Sequence, residues 1–108
     1  MEILSRIEEI LLLAIWKLQD NAYGITIREQ VQRDTGQRLL PGAIYAPLSR
    51  LKKNRYVLTR SSNLSTDRGG RPRIYYQLSP LGQKKLAESQ EIVQAIWTDV
   101  PDLRKELN

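Results

Sequence analysis

The sequence contains no cysteine and no histidine. The first absence removes disulfides, thiolate nucleophiles and cysteine metal sites, and it is compatible with a reducing cytoplasm. The second removes the commonest general base and the commonest nitrogen ligand of transition metals. Catalysis would have to rest on carboxylates or lysines. The acids are scattered over helix surfaces, and the neighbours Glu8 and Glu9 do not share a face. No enzyme, metal or cofactor is therefore expected. Long hydrophobic runs are also missing. Ile10–Trp16 is too short to cross a bilayer, which takes about 20 residues. The early acids Glu2, Glu8 and Glu9 have the wrong sign for a signal or transit peptide. A cytoplasmic location is the expectation. There is no internal repeat and no low-complexity segment. A chain of 108 residues supports one domain with a modest core, of the kind often completed by dimerisation.

Acidic residues are scarce in one particular third. Residues 38–73 hold nine Lys/Arg (Arg38, Arg50, Lys52, Lys53, Arg55, Arg60, Arg68, Arg71, Arg73) against the single acid Asp67, a net +8. The remainder has eight basic and eleven acidic residues, a net −3, which leaves +5 for the chain. A block of like charge repels itself unless a polyanion offsets it, and nucleic acid is the commonest polyanion. A solvated basic surface with no partner is the plainer alternative.

Periodicity supplies the order of elements. Residues 4–19 read as an amphipathic helix with Ile7, Ile10, Leu11, Ala14, Ile15 and Leu18 on one stripe. Leu12, Leu13 and Trp16 fall on the opposite side and imply a second contact surface. Asn21 is expected to end this helix in left-handed geometry. Residues 24–35 form a second helix, with Ile27 and Val31 inward, Tyr23 packing at its start and Gly36 as its stop. Residues 41–54 form a third, with Pro41 in its first turn and Ile44, Leu48 and Leu51 inward. Its outer face carries Gly42, Ala43, Tyr45, Ala46, Ser49, Arg50, Lys52 and Lys53. Strand-like runs follow at Tyr56–Ser61 and Arg73–Leu78, joined by the polar loop Ser62–Pro72. In the second run Tyr76 points inward. Ser79-Pro80 begins a last helix reaching about residue 98. Its Leu86, Ser89, Val93, Ile96, Val100 and Leu103 make a heptad-like seam, and Pro101 should break or kink it.

Three helices followed by a two-stranded hairpin is the winged form of the helix-turn-helix. The expected class is mainly α with a two-stranded β wing (α+β), divided into a DNA-binding part, 1–78, and a C-terminal dimerisation helix and tail, 79–108. Small residues on the third helix bring its backbone close to a duplex. Tyr45, Arg50, Lys52 and Lys53 then reach phosphates or base edges. An ordinary solvated face usually includes acids, and this one has none. In the loop, Arg68, Arg71 and Arg73 flank Gly69-Gly70 and suit the backbone or a narrow minor groove. A phosphate-cradling nucleotide loop would need a helix start after the glycines, whereas Arg71-Pro72 leads into a strand.

The stretches PGAIYAPLSRLKKNRYV and DRGGRPRIYYQLSPLGQKKL, with Tyr23-Gly24 upstream, resemble the PadR-like winged-helix transcriptional regulators over roughly residues 4–97. The resemblance implies a homodimer, double-stranded operator DNA as partner and usually repression, in the compact form with one C-terminal helix. It places the recognition helix at Pro41–Asn54, the wing at Ser62–Arg73 and the dimer helix at Pro80–Trp97. Two residues depart from the pattern. Leu40 stands where a small hydroxyl residue is common and is a poor cap. Pro47 lies inside the recognition helix, where it removes the bond to the Ala43 carbonyl. Leu12, Leu13, Trp16, Leu86, Val93, Ile96 and Trp97 are the expected dimer contacts. Some relatives bind flat aromatic compounds, and Trp16 and Trp97 are candidates to line such a site, or else simply pack the interface.

A different class stays open: a winged-helix module whose basic face binds RNA, single-stranded DNA or an acidic protein. Sequence-tolerant strand binding wants exposed aromatic platforms, and the inward Tyr76 argues mildly against it.

Overall fold

The computed structural model describes residues 2–62 and 72–107. In chain order these form α1 (Arg6–Leu18), α2 (Gly24–Thr35), α3 (Pro41–Lys53), β1 (Val57–Ser61), β2 (Ile74–Leu78) and α4 (Pro80–Ile96), with short 3-10 turns at Gln19–Asn21 and Leu103–Glu106. This is the expected mainly α winged helix-turn-helix with a C-terminal helix.

A capping box starts α1: the Ser5 hydroxyl accepts the Glu8 N–H at 3.2 Å and the Glu8 carboxylate accepts the Ser5 N–H at 2.8 Å. That Ser-x-x-Glu signal moves the helix start from residue 4 to Arg6. The helix is central, packed by α2, α3, α4 and β2. Its buried arc is correspondingly wider than one stripe and takes in Leu11, Leu12, Ala14 and Ile15. Leu12 is thus a core residue, not part of a second contact surface. Leu13 and Trp16 do remain exposed. The helix is ended by Gln19, at φ 54°, rather than by Asn21.

α2 matches its expected bounds. Gly36 adopts φ 73°, and its N–H reaches the Gln32 carbonyl at 2.8 Å. α3 buries Ile44, Leu48 and Leu51 against α1, α2 and β1. It runs unbroken through Pro47, whose ring is buried on the same inward side. The carbonyl that Pro47 deprives of a donor belongs to Ala43, an exposed residue.

The hairpin pairs antiparallel in the register Val57↔Leu78, Thr59↔Tyr76 and Ser61↔Ile74. Tyr76 donates its N–H to the Ala22 carbonyl at 2.8 Å, which ties the approach to α2 to the sheet edge. One apolar core joins Leu11, Leu12, Ile15, Ile27, Val31, Ile44, Leu48, Leu51 and Val57, with Tyr76, Leu78 and Leu86 packed on it.

Ser79 caps α4 as expected, accepting the Gly82 N–H at 2.9 Å. Ser89 on the expected dimer seam faces inward instead. It is buried and donates to the Glu9 carboxylate at 2.7 Å, tying α4 to α1. The helix stops at Ile96, and Asp99 turns the chain at φ 66°. The helix has thus ended before Pro101, and the Trp97 carbonyl takes the Val100 N–H at 3.1 Å. Val100 and Leu103 therefore lie beyond the helix and do not extend its seam.

Candidate nucleic-acid interface

Every residue expected on the outer face of α3 is exposed: Gly42, Ala43, Tyr45, Ala46, Ser49, Arg50, Lys52 and Lys53 all meet solvent. No acid interrupts the face. Its cations Arg50, Lys52 and Lys53 occupy the last turn, where they also complement the negative end of the helix dipole. The first turn is bare by contrast. Leu40 precedes it without a side-chain cap, as the sequence indicated.

The approach of α3 is set by neighbours rather than by its own cap. Arg28 on α2 donates from Nε and Nη2 to the Leu39 carbonyl at 3.2 and 2.9 Å. This two-pronged bond holds the turn that launches α3. Nothing in the sequence marks Arg28 for this role, because its target is a backbone oxygen. Tyr45, half exposed, rests against the first turn of α2. A Cβ added at Gly24 would meet its hydroxyl at 2.8 Å. Burial raises the phenol of Tyr76 above its ordinary value, and Tyr45 adds to the shift. It stays neutral at physiological pH.

The basic loop falls largely outside the described residues, and Arg68 and Arg71 fall with it. Arg73 is described, and it makes contacts with the hairpin and with Tyr23, just before α2. Its guanidinium covers the Tyr23 ring, 4.3 Å from the centroid, and Nη1 reaches the Tyr75 hydroxyl at 3.3 Å. Arg60, paired with Tyr75 across the hairpin, lies 4.2 Å above that ring, and its Nη2 donates to the Asp20 carbonyl at 3.3 Å. The Tyr23 and Tyr75 rings meet edge to face at 5.4 Å. Sequence reading missed this cluster, since the Arg60↔Tyr75 pairing emerges only once the hairpin register is known.

A second surface is built by α1 and α4. Glu9, Leu13 and Trp16 of α1 and Gln83, Leu86, Ala87, Gln90, Val93 and Gln94 of α4 line a groove of ≈ 500 Å³. Of the expected dimer contacts, this brings together Leu13, Trp16, Leu86 and Val93. Ile96 and Trp97 lie beyond it, 65% and 52% exposed. Trp16 lines this groove and Trp97 does not. Among the described residues, no helix is long and apolar enough to cross a membrane and no cluster of acids is placed to hold a metal ion.

Residues 11–88 match the model of the transcriptional regulator PadR-like family. A comparison with curated protein sequences returned no significant match. Among solved structures, the chain is similar to a PadR family transcription regulator from Clostridium difficile, at 25% identity and TM-score 0.66, covering 94% of this chain and 97% of that one. It is similar in fold to a PadR-like transcriptional regulator from Bacillus cereus, at 22% identity and TM-score 0.71, covering 90% and 89%. It is also similar in fold to BpsR of Bordetella bronchiseptica, whose DNA binding is regulated by 6-hydroxynicotinic acid, at 12% identity and TM-score 0.63, covering 94% and 71%.

Proposed function

The chain belongs to the PadR-like family of DNA-binding transcription regulators, and from that premise we propose that it is a homodimeric repressor of a pseudo-palindromic operator. The outer face of α3 enters the major groove, and the arginines of the wing loop, Arg68 and Arg71, take the backbone or minor groove. Residues 1–78 read DNA and residues 79–108 join the two chains. The observation that carries this reading is the exposed, acid-free face of α3. Base edges are read by side chains on such a face, and phosphate contacts fix its register. Selection of bound duplexes from a random pool tests it. The expected product is a two-fold site with half-sites about one helical turn apart. Equal competition by single strands would favour a general strand-binding module instead.

Dimerisation through α4, helped by α1, is supported by the exposed Leu13, Trp16, Ile96 and Trp97. A monomer gains nothing from leaving such apolar area in water. The wild-type protein is expected to sediment at about twice its 12.5 kDa chain mass at micromolar concentration. Val93→Asp with Ile96→Asp is expected to give monomers or aggregates. A wild-type chain sedimenting as a monomer would contradict the dimer.

A planar aromatic effector is the natural occupant of the groove beside Trp16. An effector shifts operator binding only by its differential affinity for two arrangements, typically about 1–3 kcal/mol, and operator DNA must weaken its binding by the same factor. Because Trp97 does not line the groove, Trp97→Phe is the host in which to follow Trp16 fluorescence. Quenching by a planar aromatic acid, reversed by operator, is the expected result. A broad panel without effect on fluorescence or operator affinity would leave Trp16 as interface packing.

A further inference from the structure

We infer that Arg73 and Arg60 are positioning residues that lock the hairpin onto the approach to α2, so that the hairpin and α3 are held in one fixed relation. The inference rests on the DNA-reading role proposed above. It gives Arg73 a different task from the phosphate contact expected of it, and it gives Arg60 a task where none had been assigned.

The base of the hairpin is held by the core, on which Val57, Tyr76 and Leu78 pack, whereas Arg60, Tyr75 and Arg73 lie toward its loop end, beyond the support of those apolar contacts. Backbone links to the approach of α2 are the Tyr76 N–H to the Ala22 carbonyl and the bridge between Tyr23 and Tyr75. Side chains add to them. Arg73 lies over Tyr23, Tyr23 meets Tyr75 edge to face, and Arg60 lies over Tyr75. The two arginines are also pinned at their tips, Arg73 to the Tyr75 hydroxyl and Arg60 to the Asp20 carbonyl. The chain of contacts does not stop at the hairpin. Tyr23 is followed by Gly24, against which the hydroxyl of Tyr45 rests. Arg60, Tyr75, Tyr23 and Tyr45 therefore connect the wing root to the exposed face of α3. A guanidinium suits this work because it is planar, stacks on a ring and donates from its rim at the same time. An ammonium serves a phosphate nearly as well but cannot stack in that way.

The test is the affinity of the folded protein for its selected operator between about 50 and 200 mM salt. Arg73→Ala and Tyr23→Leu are each expected to weaken binding on the order of tenfold. The double variant should be little worse than either, since both remove the same stacked pair. The slope of log affinity against log salt should stay at the wild-type value, and Arg73→Lys should recover little. Thermal melting of each variant separates affinity from folding. Three results overturn the inference alone. One is a salt slope that falls by about one unit for Arg73→Ala and returns with Arg73→Lys, which marks a phosphate partner. Another is a double variant whose loss is the product of the two single losses. The third is a lower melting temperature with unchanged affinity. A wild-type protein that binds no duplex would overturn the proposed function and this inference together.

Discussion

Gly82→Ala is expected to remove about 3 kcal/mol or more of stability, because overpacking that a core cannot absorb costs about 1–3 kcal/mol and a rigid obstacle more. The added Cβ would lie 2.0 Å from the Tyr56 carbonyl oxygen and 2.9 Å from its carbon. Both are backbone atoms, so no rotamer change relieves the clash. α4 cannot back away cheaply either. Ser79 donates its hydroxyl to the Arg55 carbonyl at 2.6 Å and its N–H to the Tyr56 carbonyl at 3.0 Å, while Gly82 donates to the Ser79 hydroxyl. Moving the helix outward breaks that set. Domains of this size lose roughly 4–8 °C of melting temperature per kcal/mol. A fall of more than about 10 °C in the circular dichroism transition is the expected reading. Gly42→Ala is the control. It lies in α3 with nothing within 4 Å of its added Cβ, so helix propensity alone should hold its stability level or raise it by up to about 1 kcal/mol. A Gly82→Ala protein within about 1 kcal/mol of wild type would show that the junction yields.

Arg50→Ala should have the largest effect on function. Removing a base-reading arginine costs about 1–3 kcal/mol per half-site. A two-fold complex bears that cost twice, about 2–6 kcal/mol in all, and the preferred sequence should relax at the matching positions. Substitutions in the wing loop should differ in kind. Arg68→Ala or Arg71→Ala should weaken all duplexes alike and lower the salt slope by about one unit per phosphate contact. Gel shifts with the selected operator and a scrambled duplex separate the two patterns. If Arg50→Ala weakens both duplexes equally and lowers the slope, Arg50 touches phosphate and base reading falls to Ser49 or Tyr45.

Much of this was legible in the chain. The spacing of Ile44, Leu48 and Leu51 settled which side of α3 is inward, and hence which is offered to a duplex. Gly36 and Ser79 marked helix ends by mechanisms that act within a few residues. What could not be read depended on distant partners. Leu12 looked like a surface residue because periodicity assumes one buried side, whereas α1 is packed by four elements. Ser89 looked like a seam residue because its partner Glu9 is 80 positions away. Arg73 could be read only by its charge, because the Tyr23 ring it covers is not visible in sequence. Arg28 left no trace at all, since any carbonyl could have been its target.

Helix α4, Pro80–Ile96, is 17 residues long, a span of about 25 Å at 1.5 Å per residue. In the proposed dimer its far end meets the partner and its near end carries the reading head. Swinging such an arm through roughly 8° carries the head about 3.4 Å, the rise of one base pair. The bond between Ser89 and Glu9 restrains that swing from a point midway along the arm. In the proposed dimer the arm would thus gauge spacer length. Altering its set should shift the operator spacing that fits best, phase by phase along the double helix, while leaving the letters read in each half-site as they were.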